Sequence, residues 1–443
     1  MIKISGWGRF PVVETDVVTP QTMALARLAT ASDDGIVARG NGRAYGDAAI
    51  GARRTLDATL LSRMRGFDPA TGRLTVEAGV LLADIIATFG PRGFFPVVVP
   101  GTRFVTVGGA IAADVHGKNH HRDGGFGDHV QSLVLATAGG EAVHLSRDQH
   151  PDLFAATVGG MGLTGTILEA TLRLCRIETG WIRQRTIPAR DLAAALAALD
   201  EADAATYAVA WIDGLARGAR LGRSMIFLGE HARRDDLSVA ETKTLFPKIS
   251  GPRLTVPIDL PSFTLNRWSV GAFNELYVRL GARKADGPSF VPAGRYFFPL
   301  DGVSNWNRIY GRDGFVQHQC VLPVDTARAV LAEMLGRITA RGDASFLAVL
   351  KKLRAGSGLL SFPRHGYTLA LDFPLRRGLL EFLDDLDGLV VSAGGRLYLA
   401  KDARQSRATF EAGYPNLARF REIRRSVDPA GRIRSRLSER LGL

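Results

Sequence analysis

Four glycine-rich turns crowd the first 165 residues of this 443-residue chain, each beside a short apolar run. They are GNGRAYGD (40–47), VPGTRFVTVGGAIAADVHG (99–117), DGGFGD (123–128) and ATVGGMGLTG (156–165). The runs GIVARG (35–40), RLTVEAG (73–79), SLVLATAGGEAVHL (132–145) and GTILEATLRL (165–174) read as strands, the third as a hairpin turning at Ala138 to Gly140. Helical stretches interleave, such as VLLADIIATFGPRG, which closes on glycine. The dinucleotide fingerprint is GxGxxG with a helix directly after it, whereas Gly40, Gly42 and Gly46 give GxGxxxG with no periodic helix following. What remains is a set of turns whose consecutive backbone N–H groups form concavities suited to phosphate. Together they imply one extended ligand with a pyrophosphate, cradled by several loops.

A chain of this length exceeds what one hydrophobic core usually serves, and its pattern changes near residue 176. There the order becomes helix ARDLAAALAALDEAD, strand TYAVAWIDG, strand FVQHQCVLP, helix DTARAVLAEMLGRITARG, strands SFLAVLKKL and YTLALDF, and helix RRGLLEFLDDLDGLVVSAGG. This predicts an α+β protein: residues 1–175 form the ligand-cradling domain and 176–400 a second domain with an antiparallel sheet covered by helices. Residues 401–443 form a C-terminal segment that returns to the first domain. The stretch 230–295 reads as irregular and rich in proline and scattered aromatics, a candidate lid. In FREIRRSVDPAGRIRSRLSERLGL, Ile433, Leu437 and Leu441 recur at helical spacing between arginines, a stripe for the protein body or for anionic lipid.

The net charge of +12 is scattered, mostly as arginine, without a basic aromatic stripe or a helix-turn-helix pattern. It favours anionic partners, and no nucleic acid is expected among them. Cys175 and Cys320 lie far apart with no CxxC spacing, which gives neither a disulfide framework nor a zinc or iron–sulfur site. MIKISGWGRFPVV lacks the apolar core of a signal peptide, and no apolar run reaches the ~18 residues of a spanning helix. The expected compartment is the cytoplasm, with peripheral contact at the inner face of the membrane left open by the charge.

One stretch draws chemical attention. GGAIAADVHGKNHHRDGGFGD (108–128) sets His116, His120, His121 and Lys118 among glycines. These side chains could ligate a metal, shuttle a proton or wall a cofactor. Zinc needs three or four ligands in tetrahedral array, and no HExxH or carboxylate cluster lies nearby, so no metal is expected. Gln317 and Gln319 alternate on a strand and therefore share one face.

The order GNGRAYGD, PGT…VGGAIAADVHG, hairpin, FAATVGGMGLTGTI resembles the p-cresol methylhydroxylase-type (PCMH-type) FAD-binding domain of the vanillyl-alcohol oxidase / p-cresol methylhydroxylase flavoproteins. HGKNHH, YAVAWID, LGRS, FPLD, GFVQHQ, LSFP, GGRLYLAKD and RRSVDP resemble, in order and across nearly the whole chain, the flavin subunits of the decaprenylphosphoryl-β-D-ribose 2′-epimerase family. HGKNHH and LYLAKD are the specific matches; the glycine loops identify only the superfamily.

The resemblance implies a two-subdomain FAD-binding domain, a cap over the flavin ring, and FAD-dependent oxidation of the 2′-hydroxyl of a polyprenylphosphoryl ribose to a keto sugar. Flavin contacts would come from Gly40, Asn41, Gly42, Arg43, Ala44, Tyr45, Gly46 and Asp47, and from Pro100, Gly101, Thr102, Val107, Gly108, Gly109, Ala112, Gly117, Asn119 and His121. Gly159, Gly162, Ile167 and Tyr398 would complete that pocket. Superfamily members that bind flavin covalently carry a histidine where this loop has Arg43, so FAD is expected to be noncovalent.

Lys401 matches the lysine at the reacting sugar, where burial would lower its pKa toward that of a base; an ion pair with Asp402 is the structural alternative. Tyr45, His116 and Lys118 would face the substrate, with Gln317, Gln319, Lys351 and Thr368 lining its pocket. The family's drug-reactive cysteine is Ala370 here, and its nearby asparagine is Thr368. Implied partners are the polyprenyl-phosphate-linked sugar, a separate short-chain NAD(P)H-dependent keto-reductase, and quinone or oxygen as electron acceptor. An oxidase of aldonolactones or sugar alcohols on the same fold is the competing reading.

Overall fold

The computed structural model describes residues 1–443 except 33, 250, 253, 262, 284, 286 and 343–345. Its first 176 residues build two sheets. One is four-stranded, in the order Ile2–Ser5, Val12–Val18, Arg54–Asp57, Ile36–Arg39, with the last three strands parallel. GNGRAYGD leaves this sheet at the carboxyl end of Ile36–Arg39, the end at which sheets with parallel strands bind ligands. The other sheet orders Met64–Asp68, Arg73–Glu77, Thr166–Arg176, Val130–Ala136 and Ala142–Ser146, with Phe94–Pro96 also pairing to Thr166–Arg176. Ala26, Ile36, Leu56, Leu61, Ala136 and Leu168 close a core between the two sheets.

The helix Val107–Ala112 opens on Thr106, whose hydroxyl accepts from the Gly109 N–H. Gly108 lets it approach the second sheet: its N–H reaches Ala78 O at 2.8 Å, and a Cβ there would stand 2.9 Å from the Ala78 methyl.

An eight-stranded antiparallel sheet follows, in the order Ser289–Pro292, Trp181–Ala189, Ser224–His231, Tyr207–Ile212, Ala348–Leu353, Gly366–Pro374, Phe315–Pro323, Arg396–Leu397. The helices Leu192–Asp200, Val324–Arg341 and Leu379–Ser392 cover one face and bury Leu196, Leu331, Leu335, Leu383 and Val390 against Val316, Cys320 and Leu322. Because side chains alternate along a strand, the same strand turns Gln317 and Gln319 to the uncovered face. Register aligns the neighbours, with Gln319 opposite Ala370, Ala370 opposite Val349, and Thr368 opposite Lys351. The α+β fold class read from sequence is the observed one, and the antiparallel sheet lies where that reading put it.

Two expectations need correction or resolution. The stretch 230–295 is not irregular throughout, because it contains a 16-residue helix, Arg267–Ala282, whose Asn266 side chain accepts from the N–H groups of Trp268 and Ser269. The C-terminal stripe is not a lipid-facing one. Ile433, Leu437 and Leu441 are buried, the two leucines in a core shared with Ala48, Met161 and Leu163. The final segment also bonds to the first sheet region, Gly35 N–H to Arg432 O and Ala52 N–H to Arg434 O. Among the described residues no helix is long and apolar enough to cross a membrane.

Candidate active site

A cavity of about 690 Å³, within the usual 300–1,000 Å³ of small-molecule and cofactor sites, lies between the glycine loops and the uncovered face of the large sheet. From the expected cofactor set, Gly40, Asn41, Gly42, Arg43, Ala44, Tyr45, Pro100, Gly101, Thr102, Gly108, Gly109, Ala112, Gly117, Gly162, Ile167 and Tyr398 line it. So do all the expected reaction and substrate residues: His116, Lys118, Gln317, Gln319, Lys351, Thr368 and Lys401.

Six expected residues do not line it. Gly46 packs on the Asp402–Ala403 backbone, where a Cβ would fall 2.0 Å from Asp402 O. Asp47 is held by Arg440 at 2.8 Å. Val107 is core, its N–H bonded to Val80 O. Asn119 donates to Val97 O and Asp123, with its Oδ1 buried behind Gly117. The His121 ring meets Ala205 O at 2.9 Å, and Gly159 sits against Ser361. These positions share segments with true wall residues, and sequence adjacency alone does not separate wall from support.

The first loop fits a phosphate-bearing cofactor. Gly42 adopts φ +62°, a left-handed turn. Among the described residues, the backbone N–H groups of Asn41 to Ala44 have no protein acceptor. Arg43 stacks over Trp7 at 4.0 Å, and its Nε is a buried donor without a partner. Free N–H groups and a cation on a cavity wall are what a pyrophosphate takes up.

Next to this loop a polar cluster converges. Lys401 Nζ stands 3.5 Å from the centroid of the Tyr45 ring, and among the described residues it has no hydrogen-bond acceptor. The expected alternative, pairing with Asp402, does not occur: Asp402 binds Arg440 at 3.0 Å. Burial pushes Lys401 well below the usual lysine range, and Asp372 partly restores it. Asp372 is a buried carboxylate raised by desolvation; it accepts from Gln317 at 2.6 Å and from the Tyr310 hydroxyl at 3.3 Å. Nothing in the sequence reading singled it out within YTLALDF.

His116 Nδ1 faces Lys351 Nζ at 3.0 Å, and Nε2 faces the Gln319 carboxamide at 2.9 Å. Burial, then Lys351, His120 and Lys401, hold this imidazole well below its ordinary pKa, so it is neutral and has one N–H and one lone pair. If the Lys351 ammonium takes the lone pair at Nδ1, Nε2 carries the proton and the Gln319 oxygen must face it. That oxygen then also accepts from the Thr368 hydroxyl, 3.2 Å from the Gln319 amide. His120 lies edge-on to His116, accepts the Arg354 N–H on Nδ1, and is pushed down to about 3. The three histidines therefore have three separate sets of contacts, and among the described residues no group of three or more His, Cys, Asp or Glu is placed to hold a metal.

Lys118 donates to Tyr296 O and lies 4.1 Å from that ring's centroid. Burial pushes both Lys118 and Lys351 down to about 7. Sequence reading missed Trp7, Phe104, Met161, Asp301 and Trp306 in the wall, although GWGRF and FPLD carry two of them.

Comparison with known proteins fits this geometry. Residues 18–146 match the FAD binding domain family and 370–441 the D-arabinono-1,4-lactone oxidase family. The decaprenylphosphoryl-beta-D-ribose oxidase of Mycolicibacterium smegmatis is 38% identical over 452 residues, spanning 100% of this chain and 97% of that protein. The chain belongs to the decaprenylphosphoryl-β-D-ribose oxidase family. It is an FAD-dependent oxidoreductase. An uncharacterized Streptomyces coelicolor protein is 38% identical over 82% of this chain and 99% of its own length. The rice mitochondrial L-galactono-1,4-lactone dehydrogenase 1 is 26% identical over only 38% of this chain and 30% of its own. In this member of the oxidase family Ala370 stands in the cavity wall, while both thiols lie outside it, Cys175 pushed up by burial to about 11 and Cys320 to about 12.

Proposed function

We propose that the chain oxidises the 2′-hydroxyl of a polyprenylphosphoryl-β-D-ribose to the 2′-keto sugar, working at the inner face of the membrane. The observation that carries this reading is Lys401, a partly buried amine without a carboxylate contact, in the same cavity as His116, Gln317, Lys118 and Lys351. FAD, when bound, supplies the acceptor for the hydride that leaves the carbinol carbon. Lys401 in its unprotonated form takes the hydroxyl proton, which its lowered pKa permits near neutral pH. The Tyr45 ring holds the amine in place, and Gln317 ties the site to Asp372. Lys351 orients neutral His116 toward the sugar, with Gln319 and Thr368 fixing its ring. Lys118 and Lys351 offer charge to the substrate phosphate.

The 2′-ketone leaves for reduction by a separate short-chain NAD(P)H-dependent reductase, and quinone or oxygen restores the cofactor. Arg43 cannot form a covalent link to the flavin, so acid denaturation releases the yellow chromophore into the supernatant. The deciding experiment is anaerobic mixing with synthetic polyprenylphosphoryl ribose while the flavin band is followed. The wild type bleaches, and Lys401→Ala keeps its flavin but does not bleach. An unbleached wild type would sink the substrate assignment, and full activity of Lys401→Ala would remove the lysine from the mechanism. The lactone-oxidase match over 370–441 favours a second reading, in which an aldonolactone bleaches the flavin and the lipid-linked sugar does not.

A further inference from the structure

The helix Arg267–Ala282 covers part of the cavity and yet exposes an apolar stripe. Trp268 is 74% exposed, Leu276 57%, Leu280 48% and Phe273 43%, on one side of a helix of 16 residues. Its other side is anchored by buried Val270, by Asn274 donating to Asp213 at 2.6 Å, and by Glu275 bonded to Arg223 at 2.8 Å. Four large apolar side chains in water on a firmly seated helix mark a surface that meets something apolar.

Charge and continuity say what that is. Arg267 and Arg279 flank the stripe and Arg283 follows it, against Glu275 as the helix's one acid. Basic residues beside Trp, Phe and Leu are the composition of helices that lie in the headgroup region of anionic membranes. Phe273 also reaches inward: it lines the cavity, sits 5.2 Å from Phe346 and 5.9 Å from Tyr277, and Tyr277 meets Trp211 at 4.7 Å in a tilted contact. An unbroken aromatic seam joins the exposed stripe to the cavity.

We propose that this helix is the docking surface for an anionic lipid bilayer, seated with Trp268, Leu276 and Leu280 in the headgroup region. It deepens the reading of a lipid-linked substrate: with the stripe in the bilayer, the prenyl chain stays in apolar surroundings along the seam while the phosphosugar enters the cavity. The docking itself is interfacial, through one helix lying in the plane of the surface.

The holoenzyme tests this by co-sedimentation with phosphatidylcholine vesicles, with and without phosphatidylglycerol, and by quenching with brominated acyl chains. Wild type binds the anionic vesicles, less so in high salt. In Leu276→Glu/Leu280→Glu the partition coefficient falls by about tenfold or more, as expected when apolar area is lost and charge is set at the interface. Trp268→Phe still binds but loses most of the brominated-lipid quenching, because Trp211 and Trp306 are buried, Trp7 and Trp181 are partly buried, and none of these four lies on the helix. Absence of wild-type binding, quenching unchanged in Trp268→Phe, or lipid-independent dimers abolished by the leucine variants would overturn the proposal; the last outcome would make the stripe a contact between two copies. Flavin bleaching by a short-chain, water-soluble substrate reports the oxidation without vesicles, so failure of docking and failure of the substrate assignment are separable.

Discussion

Arg440 ties together the two loops that flank Lys401, and its removal has a calculable effect. The guanidinium is bidentate on Asp47 at 2.8 and 3.2 Å and also reaches Asp402 at 3.0 Å and Gln405 O at 2.8 Å. Removing one partner of a buried ion pair costs about 3–5 kcal/mol. In Arg440→Met, Asp402 keeps the N–H groups of Arg404 and Gln405 and the Gln405 amide, so most of the loss falls on Asp47 and the lower figure applies. With roughly 0.9 kcal/mol/K of unfolding entropy for 443 residues, that lowers Tm by about 3 °C.

The pH dependence of that loss has a definite sign. Burial holds Asp47 above its ordinary value even with Arg440 pulling it down, so without Arg440 it rises further and accepts a proton. For Asp402 burial also pushes up, but Arg440 and the backbone donors win and hold it low; the stability this lends the wild type is present at neutral pH and lost as the pH falls through the lowered pKa. Both effects make the deficit of Arg440→Met largest in mildly alkaline buffer and smaller in acid. Differential scanning calorimetry of holoenzyme and variant across that range measures it. A deficit that is constant with pH, or that grows toward acid, would refute the argument.

Four further outcomes can be measured. In Asp372→Asn the charge that raises the Lys401 pKa is gone, so the acid limb of the pH profile for anaerobic flavin reduction moves to lower pH; an unmoved limb would separate Asp372 from Lys401. Gly42→Ala forces a side chain into a left-handed turn, with its Cβ 2.5 Å from Arg39 Nη2, and should weaken FAD binding in a fluorescence titration by about tenfold, the equivalent of roughly 1–2 kcal/mol of strain. With Ala370 in the wall and no thiol there, wild type gives no adduct with a nitroaromatic covalent inhibitor by intact mass, whereas Ala370→Cys does. Lys118 and Lys351, both near 7, should bind a phosphorylated ligand in their protonated forms, so its Kd rises as the pH climbs through that value; a flat Kd would take the phosphate away from these lysines.

What the sequence made legible was whatever depends on local spacing. Gln317 and Gln319 share a face because strand side chains alternate, and the turns of GNGRAYGD are glycine because Gly42 has a positive φ. What it hid depends on long-range contacts. Nothing local to Asp47 tells that its partner lies 393 residues away, or that this carboxylate supports the loop and does not touch the cavity. The helix Arg267–Ala282 was missed for a different reason. Its apolar residues fall on two edges, one turned to the cavity and one to the outside, so they do not form the single stripe by which a surface helix is recognised.

The partners of partly buried cations differ between the ion pairs of the fold and the cavity. Several arginines and lysines that serve the fold meet carboxylates: Arg440 has Asp47 and Asp402, Arg404 has Asp384 and Asp387, and Lys352 has Asp200 and Asp203. At the cavity the pattern reverses. Lys118 bonds to a carbonyl, Lys351 to an imidazole, Lys401 rests on an aromatic ring and Arg43 on an indole, and none of the four makes a carboxylate contact among the described residues. Cations left unneutralised in a desolvated wall destabilise the free protein, and two outcomes relieve them: loss of a proton, which is what the proposed role of Lys401 as a base requires, or arrival of an anion, which the cofactor and the proposed phosphorylated substrate both bring. The same burial that lowers the lysine pKa values therefore favours phosphate-bearing ligands, and catalysis and recognition draw on one electrostatic arrangement.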